Sequence, residues 1–436
     1  MLDGAPCGTV DAMSDLSPDT LEIIFRREAG RLISVLTRLL GPHNLQLAED
    51  VVQEAFVAAM QDWSARGVPE NPPAWLLTTA RRRAIDAIRR ERTRRTFAAD
   101  VAKFLDSEWT LSITVDEAFN EHGIRDDQLR MIFMCCHPAL SPESQITLIL
   151  KTLCGFSVPA VARALLTTEA TVNKRLYRTR QALRGVEFDL PAASELAAAR
   201  DIVHTALYLL FNEGYFSTTD KPILREMCRD ATLLTQLLAD HPAIATSDTM
   251  ALLSLMCFNA ARLESRLDDE GRLVPLDEQD RTKWDAALIR TGFMYLARTA
   301  DMEAMTASHY HLEAAIAARH CSATTFERTD WASICRLYDR LLEVAPSPLA
   351  ALNHAVAVSY RDGPAAAIPM VERIQMTGAL THSHVVAAVL ANLHTRAGAP
   401  ERARPYLENA LGRARTEHER DLIARQIERA RRPTSS

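Results

Sequence analysis

Apolar side chains recur three and four residues apart along most of this chain. Before the first break they stand at Ile23, Ile24, Leu32, Val35, Leu36, Leu39 and Leu40. This is the spacing of one face of an α-helix. The dipeptide Gly41-Pro42 interrupts the run, and the Gly- and Pro-rich segment 64–73 indicates a loop. The pattern therefore predicts three helices, over about 17–40, 44–63 and 73–95.

In the rest of the chain, segments with helical spacing of apolar residues alternate with segments that have no clear spacing. Residues 1–17 indicate a flexible leader, and the mixed, acidic segment 97–126 indicates a linker. A second helical block covers 127–186, and from about 195 to 431 helical stretches alternate with Gly and Pro breaks. Such alternation is typical of stacked antiparallel helix pairs. The predicted fold class is all-α.

Composition agrees with a helical, globular chain. Aromatic residues make up 6% and there are 15 Gly in 436 residues, which argues against an all-β protein. A hydrophobic share of 47% excludes wholesale disorder. The formal net charge of -6 alone argues against a nucleic-acid partner. The basic residues are clustered, however, so the charge of each segment, and not the net charge of the whole chain, indicates whether it suits a nucleic-acid partner.

The cysteines and the N-terminal segment indicate a protein of a reducing compartment. The eight cysteines form no CxxC pair, so neither a zinc ribbon nor a disulfide framework is predicted. The segment Cys135-Cys136-His137 lacks a second Cys/His pair at zinc spacing, and small buried thiols explain it better. We therefore predict no metal and no cofactor. Without a signal-peptide pattern or a long apolar run, a cytoplasmic protein that does not enter the membrane is expected.

The third predicted helix carries the densest positive charge. Residues 81–95 contain eight Arg against Asp86 and Glu91, too many for local ion pairing. A dense Arg face on a helix suits contact with phosphates. A solvated surface helix has the same composition and remains the alternative at this stage.

The segment from Ser157 to Arg184 divides into helix, turn and helix. Thr168 is the predicted N-cap of the second helix, whose apolar face holds Val172, Leu176, Thr179 and Leu183. The other face is polar and basic, with Thr171, Asn173, Lys174, Arg175, Tyr177, Arg178, Arg180 and Arg184. Polar groups flanked by cations suit a helix in the major groove. A plain amphipathic surface helix is the alternative.

These two basic segments, in this order, resemble the extracytoplasmic-function (ECF) sigma factors of bacterial RNA polymerase. Residues 48–56 (AEDVVQEAF) and 73–86 (PAWLLTTARRRAID) resemble the sigma-2 domain, and residues 157–184 resemble the sigma-4 domain. The resemblance implies a sigma-2 helical domain over 18–96 and a helix–turn–helix sigma-4 domain over 127–186. Arg82 stands where the family usually has Asn.

The resemblance implies a sigma factor rather than an enzyme, which binds core RNA polymerase through its clamp helices and flap and directs transcription initiation at promoter DNA. Docking on the clamp helices would fall to Asp50, Gln53, Glu54 and Phe56. Contact with the minus-ten element would fall to Arg81, Arg82, Arg83, Asp86, Arg89 and Arg90, while the loop 64–73 receives a flipped base. The minus-thirty-five element would be read by Thr171, Asn173, Lys174 and Arg175, with Tyr177 and Arg178 near the backbone.

Residues 187–436 extend well beyond this pattern. The segments 211–215 (FNEGY), 276–281 (LDEQDR) and 348–358 (PLAALNHAVAV) resemble an ECF subgroup with a C-terminal tetratricopeptide-like extension. This implies a helical-repeat domain over 187–436, and we expect it to regulate activity in cis or through a protein that contacts it. The acidic stretch between Asp268 and Asp285 is either a solvated turn or a shield for the Arg-rich helix.

Two other function classes stay open at this stage. One is a helix–turn–helix regulator with a repeat-type sensing domain that does not act as a sigma subunit. The other is an enzyme in the C-terminal half, built on a polar grouping of Asn212, Glu213, Tyr215, His309, Tyr310, His311 and Glu313. The sequence shows no Gly-rich phosphate loop, HExxH motif or nucleophile elbow, so a structural polar corner is favoured over a catalytic one.

Overall fold

The computed structural model describes residues 18–40, 44–94, 121–183, 194–217, 221, 223–241, 244–300, 307–378, 380–381 and 383–431. Over these ranges the protein is built from helices, and one isolated β-bridge joins Leu267 and Leu273. The predicted all-α fold class is therefore confirmed. The chain divides into two compact units, Met1–Leu210 and Phe211–Ser436. The predicted leader 1–17 lies outside the described residues, as does the predicted linker up to residue 120.

The first unit begins with three long helices and continues with shorter ones. They are α1 (Pro18–Leu40), α2 (Leu45–Arg66), α3 (Pro72–Arg94), α4 (Glu121–Met134), α5 (Pro142–Leu148), a π-helical turn (Ile149–Leu153), α6 (Val158–Ala164), α7 (Glu169–Ala182) and α8 (Leu196–Tyr215). Because α4 already begins at Glu121, the last part of the predicted linker is helical. Helix α8 crosses the boundary between the two units.

Helices α1, α2 and α3 pack around small and aromatic side chains. Ala48, Ala55 and Ala59 of α2 are fully buried, which lets the neighbouring helices approach closely. At the far end of α2, Trp63 is 1% exposed and its ring meets that of Trp75 edge to face at 5.4 Å. This packing fixes the orientation of α3, and with it the Arg-rich face.

Hydroxyl side chains begin the short helices of the first unit. The side chains of Ser141, Ser157 and Thr168 accept hydrogen bonds from the backbone N–H three residues on, at the starts of α5, α6 and α7. These caps satisfy N–H groups that have no partner within the helix. The turn between α6 and α7 is sharp, because Leu166 adopts a left-handed φ of 49°. Local sequence thus sets the helix–turn–helix geometry.

The π-helical turn lies directly against α1. A Cβ on Gly30 would stand 1.9 Å from the carbonyl oxygen of Leu153, so only glycine permits this approach. The same carbonyl accepts a hydrogen bond from Gln128 Nε2 at 2.9 Å. The turn therefore joins the first and second halves of the unit, at the kind of helical irregularity that often accompanies a functional site.

The second unit continues from the end of α8 with helices of 12 to 16 residues. They are α9 (Arg225–Asp240), α10 (Ser247–Ala260), α11 (Ala286–Ala300), α12 (His309–Ser322), α13 (Trp331–Val344), α14 (Pro348–Arg361), α15 (Pro364–Met376), α16 (Val385–Arg396), α17 (Pro400–Arg413) and α18 (Glu417–Arg431). Short 3₁₀ segments at Leu263–Arg266, Leu276–Glu278 and Arg281–Lys283 separate α10 from α11.

From α12 onward each helix packs on the next one in the sequence. Successive apolar clusters are centred on Ile334 and Cys335, then on Leu390 and Val371, and then on Leu407. Each cluster draws residues from consecutive helices, so no helix pair buries its apolar face alone. This is the architecture expected of stacked helical repeats.

Arginines from elsewhere in the second unit bind the C-terminal ends of α12 and α14. Arg281 donates hydrogen bonds to the carbonyl oxygens of His320 at 2.7 Å and Ala323 at 2.8 Å. Arg396 donates to the side-chain and backbone oxygens of Ser359, and its guanidinium lies 3.8 Å from the ring centre of Tyr360. These bonds satisfy carbonyls left free at helix ends.

The last helix contacts a loop far back in the sequence. Arg425 of α18 donates a hydrogen bond at 2.9 Å to the carbonyl oxygen of Leu273, 152 residues earlier. Arg429 forms a two-pronged ion pair with Glu278, with Nη2 to Oε2 at 3.0 Å. This pair lowers the pKa of Glu278, chiefly through the hydrogen bond from Arg429.

Candidate nucleic-acid and polymerase-binding surfaces

The residues predicted to read the minus-thirty-five element share one face of α7. Val172, Leu176 and Thr179 are buried on its inner face. On the outer face Asn173, Lys174, Tyr177 and Arg178 are exposed, whereas Thr171 and Arg175 are half-buried. Thr171 Oγ1 also lies 2.9 Å from Thr168 Oγ1, so this hydroxyl is shared with the helix cap. The face has the polar tip and flanking cations that a groove-reading helix needs.

The Arg-rich face of α3 is also on the surface. Leu76, Ala80 and Ala84 form the buried stripe of this helix, and Trp75, Ile85 and Ile88 beside them are half-buried. Arg82 and Asp86 are exposed, and Arg81 and Arg83 are half-buried. Arg89 and Arg90 lie within α3, but their side chains fall outside the described part of the structure.

A short loop precedes this face. The loop spans 67–71, slightly less than the predicted 64–73, because α2 continues to Arg66 and α3 starts at Pro72. Gly67 begins it with a left-handed φ of 82°, and Asn71 Oδ1 accepts the backbone N–H of Ala74 at 3.1 Å. Half-buried Trp75 lies next to this loop, which puts an aromatic ring beside the place where a flipped base is expected.

The predicted docking helix presents three of its four candidate residues. Asp50, Gln53 and Glu54 are exposed on α2. Phe56 is only 5% exposed and packs edge to face on Phe25 at 4.8 Å, so it supports the surface from beneath.

Two residues that the sequence pattern did not single out complete this surface. Val57 and Met60 are 54% and 55% exposed, and they follow Gln53 on the same face of α2 at spacings of four and three. Their signal in the sequence is an apolar pair on the polar side of the helix. Exposed apolar side chains flanked by acidic ones suit a protein partner.

The polar grouping considered as an enzyme site has ordinary structural partners. Tyr215 is 4% exposed, and the guanidinium of Arg266 lies 3.7 Å from its ring centre and donates a hydrogen bond to its carbonyl. His311 instead lies 2.7 Å from Ser247 Oγ and 3.0 Å from Ser308 Oγ, at the starts of α10 and α12. Burial lowers the pKa of His311. Tyr215 therefore packs on the segment before α11, whereas His311 contacts the starts of α10 and α12.

Several carboxylates of the acidic stretch have local partners, whereas Glu278 pairs with Arg429 of α18. Asp268 and Glu270 pair with Arg272 of the same turn at 2.8 Å. Asp280 and Asp285 accept backbone hydrogen bonds at the starts of the next helices. These contacts favour the interpretation of a structured, solvated turn.

Cys135, Cys136 and Cys154, the described cysteines of the first unit, are buried thiols. Burial raises the pKa of Cys135, and raises that of Cys136 to about 12. Among the residues that the structure describes, no group of three or more His, Cys, Asp or Glu side chains is placed to hold a metal ion. None of the described helices is long and apolar enough to cross a membrane.

Known family models match the segment that contains α2 and α3 and the segment that contains α7. Residues 24–94 match "Sigma-70 region 2", and residues 130–183 match "Sigma-70, region 4". Residues 200–300 match a "Family of unknown function (DUF6596)". The chain therefore carries sigma-70 regions 2 and 4, followed by a helical region whose family has no assigned function.

One relative covers most of the chain. The "Uncharacterized protein R00370" of Rhizobium meliloti (strain 1021) is 38% identical over 333 residues, which is 76% of this chain and 77% of that protein. This chain belongs to the family of that rhizobial protein. A match of 333 residues is longer than regions 2 and 4 together, so it reaches into the helical extension.

More distant relatives are ECF sigma factors. The "Probable ECF RNA polymerase sigma factor SigI" of Mycobacterium tuberculosis (strain ATCC 25618 / H37Rv) is 24% identical over 200 residues, 46% of this chain and 66% of that protein. The "ECF RNA polymerase sigma factor SigW" of Bacillus subtilis (strain 168) is 25% identical over 154 residues, 35% of this chain and 81% of that protein. No solved structure matches this chain. These findings support the ECF resemblance, while the tetratricopeptide-like subgroup stays a prediction.

Proposed function

We propose that this protein is an ECF-type sigma factor that binds core RNA polymerase, recognises the minus-ten and minus-thirty-five promoter elements and directs transcription initiation. The observation that carries the proposal is the presence of two exposed basic helix faces, on α3 and α7, within segments that match sigma-70 regions 2 and 4 in that order. Its role is not catalytic, since the polymerase performs the chemistry. It acts in the cytoplasm, where its polymerase is.

Each surface has a distinct task in this proposal. Asp50, Gln53, Glu54, Val57 and Met60 dock on the clamp helices of the polymerase, with Phe56 holding the surface from below. The exposed face of α3 contacts the minus-ten element beside the loop 67–71. The outer face of α7 reads the minus-thirty-five element. Affinity comes from Arg and Lys contacts with phosphates, and selectivity from the few side chains that reach base edges.

The test is run-off transcription with purified core polymerase and a pool of genomic fragments from the source organism. We expect defined transcripts only when the full chain is present. The alternative, a regulator that does not replace the sigma subunit, predicts DNA binding without co-purification of core polymerase. Binding to DNA without polymerase-dependent transcripts would therefore overturn the proposal in favour of that alternative.

The proposal also gives the helical extension a regulatory task. Its stacked helices offer an extended surface of the kind that binds protein partners, and a regulatory protein that contacts it would control the sigma regions. A chain ending at residue 217 removes all of the extension that follows α8. Transcription and polymerase affinity identical to those of the full chain would remove the regulatory task.

A further inference from the structure

Three buried nitrogen atoms in one neighbourhood of the second unit have no hydrogen-bond partner. They are Arg281 Nε, Trp284 Nε1 and His320 Nδ1. The first two are donors, and the third donates in one tautomer of the neutral ring. A buried polar atom without a partner is costly and rare, so several of them together indicate a site for a ligand that carries hydrogen-bonding atoms.

Arginines and aromatic rings bring these atoms together from separate parts of the sequence. The guanidinium of Arg281 lies 4.8 Å from the ring centre of Trp284, and that of Arg262, just after α10, lies 5.4 Å from the same centre. Arg281 also contacts the backbone of His320 in the last turn of α12, at 2.7 Å. We call Arg262, Arg281, Trp284 and His320 the arginine–tryptophan cluster.

The cluster carries two positive charges that its own side chains do not balance. Burial lowers the pKa of Arg281, and the neighbouring Arg262 lowers it further. Burial, together with repulsion from both arginines, lowers the pKa of His320 to about 3, so this imidazole is neutral at pH 7. Burial also raises the pKa of the adjacent Cys321 to about 11, so its thiol is neutral as well.

Nearby carboxylates do not pair with the two arginines. Within the described residues, neither Arg262 nor Arg281 lies at ion-pair distance from an Asp or Glu. Glu327 acts on Arg281 only from a longer distance, and it is exposed to solvent. Asp280 precedes Arg281 in the sequence, but its carboxylate accepts from the Thr282 hydroxyl at 2.6 Å. The positive charge is therefore available to a ligand.

The arginines also have donors to spare. Arg281 uses its two terminal nitrogens on three oxygen atoms at and after the end of α12, which leaves Nε. Arg262 makes one long side-chain hydrogen bond within the described structure, from Nε to Gln279 Oε1 at 3.4 Å, which leaves its terminal nitrogens. Arg262 and Arg281 are both half-buried, so a small ligand can reach them from solvent.

We propose that the arginine–tryptophan cluster binds a phosphate group, from inorganic phosphate or from a small phosphomonoester. A dianion balances both guanidinium charges, and its oxygen atoms accept from Arg262, Arg281 Nε and Trp284 Nε1. A carboxylate brings one charge and two oxygen atoms, and water brings no charge, so both satisfy the cluster less completely. The site makes the helical extension responsive to a small anion, which goes beyond the proposed function.

The experiment follows individual tryptophans of the full chain by fluorine NMR. The five tryptophans are replaced by 5-fluorotryptophan, and the signals are assigned with Trp284→Phe and Trp75→Phe. Trp284 reports on the cluster, whereas Trp75 lies beside the basic face of α3 and reports unspecific binding of anions there. Inorganic phosphate, glycerol 3-phosphate and acetate are each titrated at constant ionic strength.

The Trp284 signal should shift with a saturable curve and a Kd at or below about 1 mM for at least one of the two phosphates. The tighter of the two identifies the source of the phosphate group. Acetate should bind at least about tenfold more weakly, because it carries one charge. The Trp75 signal should not follow the same curve.

Arg262→Met tests the cluster without removing the bonds from Arg281 to α12. It should raise the Kd at least about tenfold, because a charged donor is lost. Arg402→Met, an exposed change in α17, is the matched control and should leave the Kd unchanged. As a second readout, hydrogen exchange of the parent over 279–284 and 318–329 should slow with phosphate and not with acetate.

A Trp284 signal that stays in place up to about 20 mM of both phosphates would overturn the proposal, as would unchanged hydrogen exchange. Equal effects of Arg262→Met and Arg402→Met would also overturn it, and so would acetate that binds as tightly as phosphate. None of these measurements uses polymerase or DNA. The phosphate site therefore stands or fails separately from the sigma role.

Discussion

Arg83 Nη1 lies 2.8 Å from Glu54 Oε2, in an ion pair that joins α3 to α2. The two side chains are 39% and 52% exposed, so the pair contributes no more than about 1 kcal/mol to stability. Its interest lies in its position, because Glu54 belongs to the proposed polymerase surface and Arg83 to the proposed DNA surface. A partner that competes for Glu54 would release the Arg83 guanidinium for a phosphate.

The exposed apolar pair on α2 gives a first prediction. Replacing Val57 and Met60 with Ser should weaken binding of core polymerase at least about tenfold, because the variant buries less apolar area in the complex. Stability should change by less than about 0.5 kcal/mol, since both side chains are more than half exposed in the free chain. Titration of labelled core polymerase measures the affinity. Unchanged affinity would show that this face of α2 is not the docking surface.

The outer face of α7 gives a second prediction. Lys174→Ala and Arg175→Ala should each weaken promoter binding and flatten its dependence on salt, by about 0.9 in the logarithmic slope for each phosphate that is no longer neutralised. Filter binding or fluorescence anisotropy over a range of salt concentrations provides the measurement. Arg402→Ala, an exposed change in the second unit, is the control. A salt slope equal to that of the parent would contradict the assignment of α7 as the reading helix.

The close approach at Gly30 gives a third prediction. Gly30→Ala should destabilise the junction with the π-helical turn by about 1–3 kcal/mol, because the new Cβ would stand 1.9 Å from the Leu153 oxygen. Gly412→Ala is the matched control, since nothing lies within 4 Å of its Cβ and alanine favours a helix by about 0.5–1 kcal/mol. Hydrogen exchange over 149–156 and over 400–413 reports the two sites separately. Equal effects of both changes would show that the approach at Gly30 is not tight.

A buried imidazole gives a fourth prediction, for pH. Burial lowers the pKa of His320 to about 3, with Arg262 and Arg281 adding repulsion. The unfolded chain binds a proton at this imidazole near pH 6.5, whereas the folded chain binds it only near pH 3. As the pH falls from about 6.5 to about 3, the free energy of unfolding therefore decreases by up to about 1.4 kcal/mol per pH unit. His320→Phe keeps a ring against Trp331 and removes the proton site. The free energy of unfolding should fall less steeply below pH 6.5 in His320→Phe, and parallel curves would contradict the prediction.

Periodicity and capping residues are sufficient to predict the helix–turn–helix. Thr168 caps α7, and Val172, Leu176 and Thr179 are buried, because local spacing and a local hydrogen bond decide both features. The buried stripe of α3 follows from the same rule. Glu54 and Asp50 are exposed for the same reason, since they lie opposite the small residues of α2.

Interactions between distant segments leave no comparable signal in the sequence. Glu49 looks like any surface acid in a helical pattern, and its burial depends on Thr152 and Arg180, more than 100 residues away. The family resemblance groups Phe56 with the docking residues, although the helix rotation that exposes Glu54 turns Phe56 inward. The π-helical turn also could not be predicted from the hydrophobic periodicity of the sequence. It adds one residue to a turn of a short helix, and this is too small a change to alter the pattern recognisably.

The ties from Arg425 and Arg429 back to Leu273 and Glu278 change how the second unit should unfold. An open stack of repeats can fray from its free end, one helix pair at a time. Here the last helix is fastened to a loop between α10 and α11, so the end of the chain and the segment matched over 200–300 share one cooperative unit. Deletion of α18 should therefore destabilise residues 273–278 as well as the helix that precedes the deletion.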